Sequence, residues 1–258
     1  MTQCEFIILG CGGSGGVPLV TGYWGNCDPS NPKNRRMRSS IAIRTARTCI
    51  VIDTGPDFHE QTLRHNISNI DAVMYTHEHA DQTNGLFELR PFYWKHERRI
   101  NIFGNLRTIK HLKRRHDYLF KKSFSGYPPI IKANLIKKSF FLGKLNEKIL
   151  FKTINVNHGK TNSIVYIFEK TAYISDCNDL SIIYSKELKN LKYLILDCLK
   201  FEKHPTHFNL DDALFVHRNL KPKKTILTNL HYDIDYGYLL KKLPPNVVPA
   251  YDGLKINL

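Results

Sequence analysis

The stretch THEHADQ, residues 76–82, decides the fold prediction. It follows the apolar run 72–75, which is typical of a buried strand. Side chains alternate along extended chain, so His77 and His79 point the same way and can share one metal ion. Asp81 follows at the turn into a helix, where it can reach a second ion or position a metal-bound water. Helix capping alone would also explain an Asp at this turn, but the dense His-x-His-x-Asp cluster favours a metal site.

Two residues far downstream extend this cluster. His158 follows the strand-like run 150–155 and precedes a glycine, which allows close backbone approach. Asp176 ends the apolar run 172–175, and a carboxylate there can bridge two cations. Each would be read as an ordinary surface or turn residue if it stood alone, so both assignments depend on the upstream cluster.

Strand-like and helix-like segments alternate through both halves of the chain. The predicted strands are residues 5–9, 40–44, 49–53, 72–75, 150–155, 163–168, 172–175, 193–197 and 225–228. No repeat or low-complexity linker divides the 258 residues, so we predict one α/β domain, residues 1–258, with two sheets sandwiched between helices. The basic, aromatic segment 95–138 has fewer strand signals and is expected to form an inserted surface subregion.

Charge and cysteine content place weaker limits on function. The chain has 38 Lys and Arg against 23 Asp and Glu, a net charge of +15, which suits phosphate-bearing substrates but also fits a biased genome composition. The six cysteines show no disulfide framework, so reduced thiols in the cytoplasm are expected. No signal peptide and no apolar stretch of membrane-spanning length is seen, and we expect no membrane partner.

Eight segments in chain order resemble the metallo-β-lactamase superfamily and, within it, the phosphoribosyl cyclic phosphodiesterase-like group. The segments are residues 10–18, 34–40, 52–57 and 76–90, His158, Asp176, and residues 204–207 and 227–236. This resemblance implies an αββα sandwich and a two-metal hydrolytic site, usually occupied by zinc or manganese. It is less specific for substrate, since the superfamily also contains tRNA-maturing nucleases, thioester hydrolases and lactamases.

The resemblance also implies how two ions would be held. The first ion is assigned to three imidazoles and a carboxylate: His77, His79, His158 and Asp176. The second is assigned to Asp81, the residue after it, the bridging Asp176 and a late histidine. In the family the residue after this Asp is a histidine that binds the second ion, but here it is Gln82. An amide oxygen is a poorer zinc ligand than imidazole, so the second site should be weakened or altered.

The late position differs from the family pattern as well. Asn229 occupies the place of the usual histidine, but His231 lies two residues further on. In extended chain the two would face the same side, so His231 is the predicted metal ligand, with Asn229 beside it.

Several residues around these ligands are candidates for supporting roles. Asp53 and Asp57 could accept the second ring N–H of a ligating histidine, although strand-end and helix-cap roles explain them equally well. The resemblance places His207 and Arg90 in the substrate pocket. Arg35, Arg36 and Arg38 could also bind phosphate, but such a basic run is more often a solvated face.

Some relatives hold a structural zinc with three cysteines and a histidine. Gly22 and Trp24 stand at two of the cysteine positions here, and Tyr232 stands at the histidine position. We therefore predict no such zinc, and Cys27 is expected to be an ordinary thiol.

The expected reaction is attack of a metal-bound hydroxide on a small cyclic or nucleotide-like phosphodiester. Asp81 would orient the nucleophile, and His207 would act as general acid. One alternative is an RNA-processing nuclease, suggested by the charge and the basic segment but lacking an evident exosite arm. The other is a degenerate-site nucleotide-binding protein with one metal or none, suggested by Gln82. A homodimer is left open.

Overall fold

The computed structural model describes residues 4–122, 126–144 and 146–258, and within them fourteen strands and seven α-helices. The strands are β1 (Glu5–Gly10), β2 (Ser40–Arg44), β3 (Cys49–Ile52), β4 (Ala72–Met74), β5 (Ile100–Gly104), β6 (Ile131–Leu135), β7 (Ser139–Leu142), β8 (Ile149–His158), β9 (Thr161–Phe168), β10 (Thr171–Ile174), β11 (Tyr193–Asp197), β12 (Lys224–Thr228), β13 (Val247–Pro249) and β14 (Lys255–Asn257). The helices are α1 (Phe58–Arg64), α2 (Ala80–Thr83), α3 (Arg90–His96), α4 (Leu106–Arg115), α5 (Asp117–Phe120), α6 (Leu210–Leu220) and α7 (Tyr236–Lys242). None of these helices combines the length and the apolar character that crossing a membrane requires.

The strands form two mixed sheets of seven strands each. The first has the order β14-β1-β2-β3-β4-β5-β6 and the second the order β13-β12-β11-β10-β9-β8-β7. Strands β3 to β6 pair in parallel in the first sheet, and β10 to β13 pair in parallel in the second. The remaining neighbours are antiparallel. Each sheet therefore brings the carboxyl ends of several parallel strands to one edge, where α/β folds place their chemistry.

Buried side chains divide the molecule into four layers. Phe6 of the first sheet and Phe168 of the second meet between the sheets, with ring centroids 6.1 Å apart. Phe58 and Leu112 cover the outer face of the first sheet, and Val216 belongs to the layer that covers the second. The alternation of apolar positions along each strand produces the two covered faces of a sheet. The predicted αββα sandwich is confirmed.

The prediction for residues 95–138 is corrected by the pairing of the strands. This segment contains β5 and β6, which pair with each other, and β5 also pairs with β4, so both belong to the first sheet rather than to an insertion. Their apolar runs are short and are surrounded by basic residues, so the sequence did not identify them as strands. Residues 123–125 of the segment lie outside the described residues.

The loop after β3 and the start of α2 pass each other in close contact. Thr54 N donates to Gln82 O at 2.8 Å, and Gly85 N donates to Thr54 O at 2.8 Å. A Cβ added at Gly55 would lie 2.2 Å from the backbone oxygen of Asp81. Only glycine therefore allows the two backbones to approach this closely.

Gly55→Ala should lower the free energy of unfolding by about 1–3 kcal/mol, because the Asp81 backbone must move away from the new methyl group. Urea denaturation monitored by circular dichroism measures this change. Gly237→Ala is the control, since its Cβ would meet nothing nearer than Asp235 Oδ1 at 3.4 Å and alanine favours the helix α7. Equal denaturation midpoints for Gly55→Ala and the wild type would contradict the close approach.

Candidate metal centre

Side chains capable of binding metal follow the ends of strands from both sheets. Asp53 follows β3, His77 and His79 follow β4, and His158 is the last residue of β8. Asp197 is the last residue of β11, and the remaining candidates, Asp176 and Asn229, follow β10 and β12. The two sheets thus contribute to the same edge of the sandwich, although these residues are far apart in the chain.

The structure brings three imidazoles together. The ring centroids of His77 and His79 are 4.4 Å apart, and the His158 ring is 4.9 Å from the first and 5.1 Å from the second. One ring nitrogen of each histidine lies within 4.8 Å of the others, a spacing that one metal ion can bridge. His77 and His158 are buried whereas His79 is exposed, so the cluster opens to solvent on one side.

The environment of His77 indicates a ligand. Thr76 Oγ1 donates its only proton to Asp53 Oδ2 at 2.9 Å. The hydroxyl oxygen of Thr76 must therefore accept in its contact with His77 Nδ1 at 3.0 Å, which places the ring proton of His77 on Nδ1. The Nε2 lone pair is then left on a buried atom with no hydrogen-bond partner in the described part of the chain. Burial, opposed by the charge of Asp176, lowers the pKa of His77 to about 4, so the ring is neutral. A neutral imidazole with an unused, inward lone pair fits a divalent cation.

A second group shares His158 and adds a carboxylate. His158 Nδ1 lies 2.8 Å from the carbonyl oxygen of Thr206, which fixes its proton there and leaves Nε2 as the lone pair. That Nε2 and the Nε2 of His207 each lie 3.9 Å from Asp176 Oδ1. Although burial opposes ionisation, the imidazoles of His77, His207 and His158 lower the pKa of Asp176. The carboxylate is ionised, as metal binding requires.

His207 is held in a different way. Its Nδ1 lies 2.8 Å from Asp197 Oδ2, and that carboxylate also accepts from Cys177 N at 3.0 Å. Burial works against the charged ring, but Asp197 and Asp176 outweigh it and raise the pKa of His207 to about 9. In this protonated form the ring can donate from Nε2 to an anion, while its position also places it in a group with His158 and Asp176 whose ligand atoms lie within 4.8 Å of one another.

The second predicted cation position is built from different groups. Asp81 is partly buried, and burial together with the charge of Asp176 raises its pKa. Gln82 is fully buried between these two carboxylates, with its amide 3.3 Å from Asp81 Oδ2 and 3.3 Å from Asp176 Oδ2. The structure therefore brings together the residues predicted for this position, apart from the late ligand.

The prediction of His231 as the late ligand is corrected. His231 lies outside both groups, with Nδ1 2.8 Å from Asp233 Oδ2 and its ring centroid 3.6 Å from that of Tyr232. The prediction assumed extended chain, but β12 ends at Thr228 and Asn229 has φ 63°, so residues 229 and 231 no longer face the same side. Asn229 itself is buried beside the site, where Nδ2 donates to Ser175 O at 2.6 Å and Oδ1 accepts from Ser39 Oγ.

The expected partners of the histidines are also corrected. Asp53 accepts from Thr76 N and Oγ1, so it supports His77 through this threonine rather than by direct contact. Asp57 pairs with Arg38, whose Nη1 lies 2.8 Å from Asp57 Oδ1. The guanidinium of Arg90 lies over three aromatic rings, those of Phe87, Trp94 and Tyr127, at 5.1 to 5.9 Å from the ring centroids. A substrate contact by Arg90 stays a prediction.

Sequence reasoning missed two of the supporting groups. Asp197 ends an apolar strand in the same way as Asp176, and that signal could have identified it. Thr206 contributes a backbone oxygen, which any residue could supply, so no residue type points to it.

Comparisons with known proteins show which family and which fold this chain is similar to. Residues 48–232 match the family model described as a beta-lactamase superfamily domain. A crystal structure described as a new diphosphatase from the PhnP family is 31% identical, has a TM-score of 0.86, and is matched over 99% of this chain and 97% of that one. Zn²⁺-bound PqqB from Methylobacterium extorquens is 15% identical with a TM-score of 0.74, covering 98% of this chain and 100% of that one. At that identity the likeness shows the fold alone.

A curated relative shows that such a domain also occurs within a longer chain. The octanoyltransferase of Porphyromonas gingivalis is 29% identical over 252 residues, which is 96% of this chain and 50% of that protein. This chain thus spans half the length of the relative.

Proposed function

This chain belongs to the β-lactamase superfamily and is a hydrolase, and from that premise we propose that it hydrolyses a small cyclic or nucleotide-like phosphodiester with the help of divalent cations. The observation that carries the proposal is the buried, unpartnered Nε2 of His77 beside two further imidazoles and the ionised Asp176. The similarity to a PhnP-family diphosphatase supports phosphorus rather than carbon as the reacting centre.

Different residues of the centre would have different roles in the hydrolysis. When bound, zinc or manganese would acidify water and neutralise charge on the phosphate oxygens. Asp81, at the start of α2, would orient the attacking water, and His207 would hold a proton at Nε2 for the leaving alkoxide. The hydrogen bond from His207 Nδ1 to Asp197 keeps the ring in this orientation.

A screen of phosphodiesters with zinc and with manganese tests the proposal. Bis(p-nitrophenyl) phosphate and cyclic nucleotides should be hydrolysed, and a chelator should stop turnover until metal is restored. Hydrolysis of thioesters or lactams with no turnover of any diester would overturn the proposal.

A nuclease acting on RNA is the second candidate function, and a cleft beside His79 favours it. The cleft has a volume of about 930 Å³ and is lined on one side by four basic side chains of α4: Arg107, Lys110, Arg114 and Arg115. Arg107 also pairs with Glu78 at 2.6 Å, so part of its charge is balanced. The remaining charge could hold a phosphate backbone that leads away from the metal centre.

Salt dependence separates the two candidates. If four phosphates of single-stranded RNA are bound, raising salt from about 50 to about 200 mM should weaken binding about 50-fold, at a slope of about −0.7 per contact. Hydrolysis of bis(p-nitrophenyl) phosphate should change little. Similar, weak salt effects on both substrates would leave the small phosphodiester as the better assignment.

A further inference from the structure

The buried amide of Gln82 is surrounded by oxygen atoms on both sides. One end faces Asp81 Oδ2 and Asp176 Oδ2, each at 3.3 Å. The other end faces Asp53 Oδ2 at 3.1 Å and Ser39 O at 3.2 Å. An amide has one donating and one accepting end, so in either orientation its oxygen is directed at two other oxygens.

The two ends of the amide are not equivalent. Ser39 O is a backbone carbonyl that can only accept, so a hydrogen bond at this end of the amide requires the NH₂ group of Gln82. This orientation also gives the shorter hydrogen bonds, and it directs Oε1 at Asp81 and Asp176. Oε1 then lies 3.3 Å from one oxygen of each of the two carboxylates, in a buried place where a cation would relieve the repulsion between these oxygens.

The residue at the position of the late histidine does not add an imidazole to the group of Gln82, Asp81 and Asp176. Asn229 stands there, and both ends of its amide are used within the protein, by Ser175 O and Ser39 Oγ. The adjacent cluster of His77, His79 and His158 is by contrast rich in nitrogen. The two neighbouring positions therefore differ in the kind of ligand they offer.

We propose that Gln82 Oε1, with Asp81 and Asp176, binds a hard divalent cation, Mn²⁺ or Mg²⁺, beside an imidazole-rich position that binds Zn²⁺. Oxygen ligands suit Mn²⁺ and Mg²⁺, with water completing their coordination, whereas imidazoles suit Zn²⁺. Gln82 thereby changes which ion is preferred and does not only weaken the site. The inference deepens the proposed function, because it concerns the same centre.

Metal binding by the wild-type chain gives the first test. Protein stripped with a chelator and loaded with one equivalent of Zn²⁺ is titrated with Mn²⁺, and free Mn²⁺ is counted by electron paramagnetic resonance. One Mn²⁺ per chain should bind at this position, and displacing it should need a larger excess of Zn²⁺ than in the Gln82→His variant. Binding of one Zn²⁺ and no further ion, or equal displacement of Mn²⁺ by Zn²⁺ in the two proteins, would overturn the inference. The former result would favour the degenerate-site alternative.

Substitutions at position 82 give the second test. Gln82→Leu removes the oxygen ligand and should abolish Mn²⁺ binding while one Zn²⁺ is still bound, which also reports that the fold is intact. Gln82→His should favour Zn²⁺ over Mn²⁺ at this position at least about tenfold more than the wild type does, because imidazole is the better zinc ligand. Asn84→Ala, an exposed amide at the end of α2, is the control and should bind metal as the wild type does.

The outcomes separate this inference from the proposed function. Unchanged Mn²⁺ binding in Gln82→Leu would overturn the role of Gln82, and if that variant does not fold, the shorter Gln82→Asn must show weakened Mn²⁺ binding instead. A chain that binds Zn²⁺ and Mn²⁺ as described but hydrolyses no diester would overturn the proposed function alone. A chain that hydrolyses diesters but shows the same preference between Zn²⁺ and Mn²⁺ as Gln82→His would overturn this inference alone.

Discussion

Replacing His77 and Asp176 together by alanine should abolish hydrolysis of bis(p-nitrophenyl) phosphate. His77 contributes the buried, unpartnered Nε2, and Asp176 contributes the carboxylate that lies between the two cation positions. Removing residues that only support a metal ligand typically costs about 10–100-fold, so loss of two direct ligands should exceed this range. Initial rates in the presence of Zn²⁺ and Mn²⁺ measure the loss of activity, and metal analysis should show less bound metal.

The control for this double variant replaces an exposed histidine and an exposed carboxylate elsewhere. His59 lies on α1, and Glu187 lies in a short 3-10 turn before β11. The variant His59→Ala with Glu187→Ala should keep wild-type rates and metal content. If the His77 and Asp176 variant turned over the diester as fast as this control, the assigned centre would be wrong.

The histidines that the structure brings together could be identified from the sequence because metal chemistry restricts residue type. Two histidines and an aspartate within five residues, directly after an apolar strand, have few other uses. The fold was predictable for a similar reason, since long apolar runs such as β9 and β11 can only be buried.

The rest of the site depends on tertiary structure that no local pattern encodes. The error at His231 followed from the left-handed backbone of Asn229, which the sequence does not reveal. Support from the carbonyl oxygen of Thr206 could not be foreseen, because every residue carries that atom. The run of arginines was expected to be solvated, yet Arg36 is 2% exposed whereas Arg35 is exposed.

The buried Arg36 connects the loop before β2 with the segment after β12. Its Nη1 donates to His231 O at 3.1 Å, and its Nη2 donates to Ile234 O at 2.7 Å and to Asn34 Oδ1 at 3.0 Å. Cys27 lies at the same junction, with Sγ 3.2 Å from Ile234 O. The resemblance implies that some relatives use zinc to link these regions. Here the fork of guanidinium N–H groups makes the link through backbone oxygens.

Arg36→Met should therefore destabilise the protein by at least about 3 kcal/mol, because buried carbonyl groups lose charge-assisted hydrogen bonds while methionine keeps much of the packing volume. Urea denaturation should show a lower midpoint with an unchanged slope.

Arg35→Ala is the matched control: its exposed guanidinium lies 5.3 Å from the Trp24 ring centroid, and its loss should change the free energy of unfolding by no more than about 0.5 kcal/mol. Equal midpoints for the two variants would show that the buried guanidinium does not hold these segments together. The histidines of the candidate metal centre lie on other segments of the chain, so Arg36→Met that remains folded should still bind Zn²⁺.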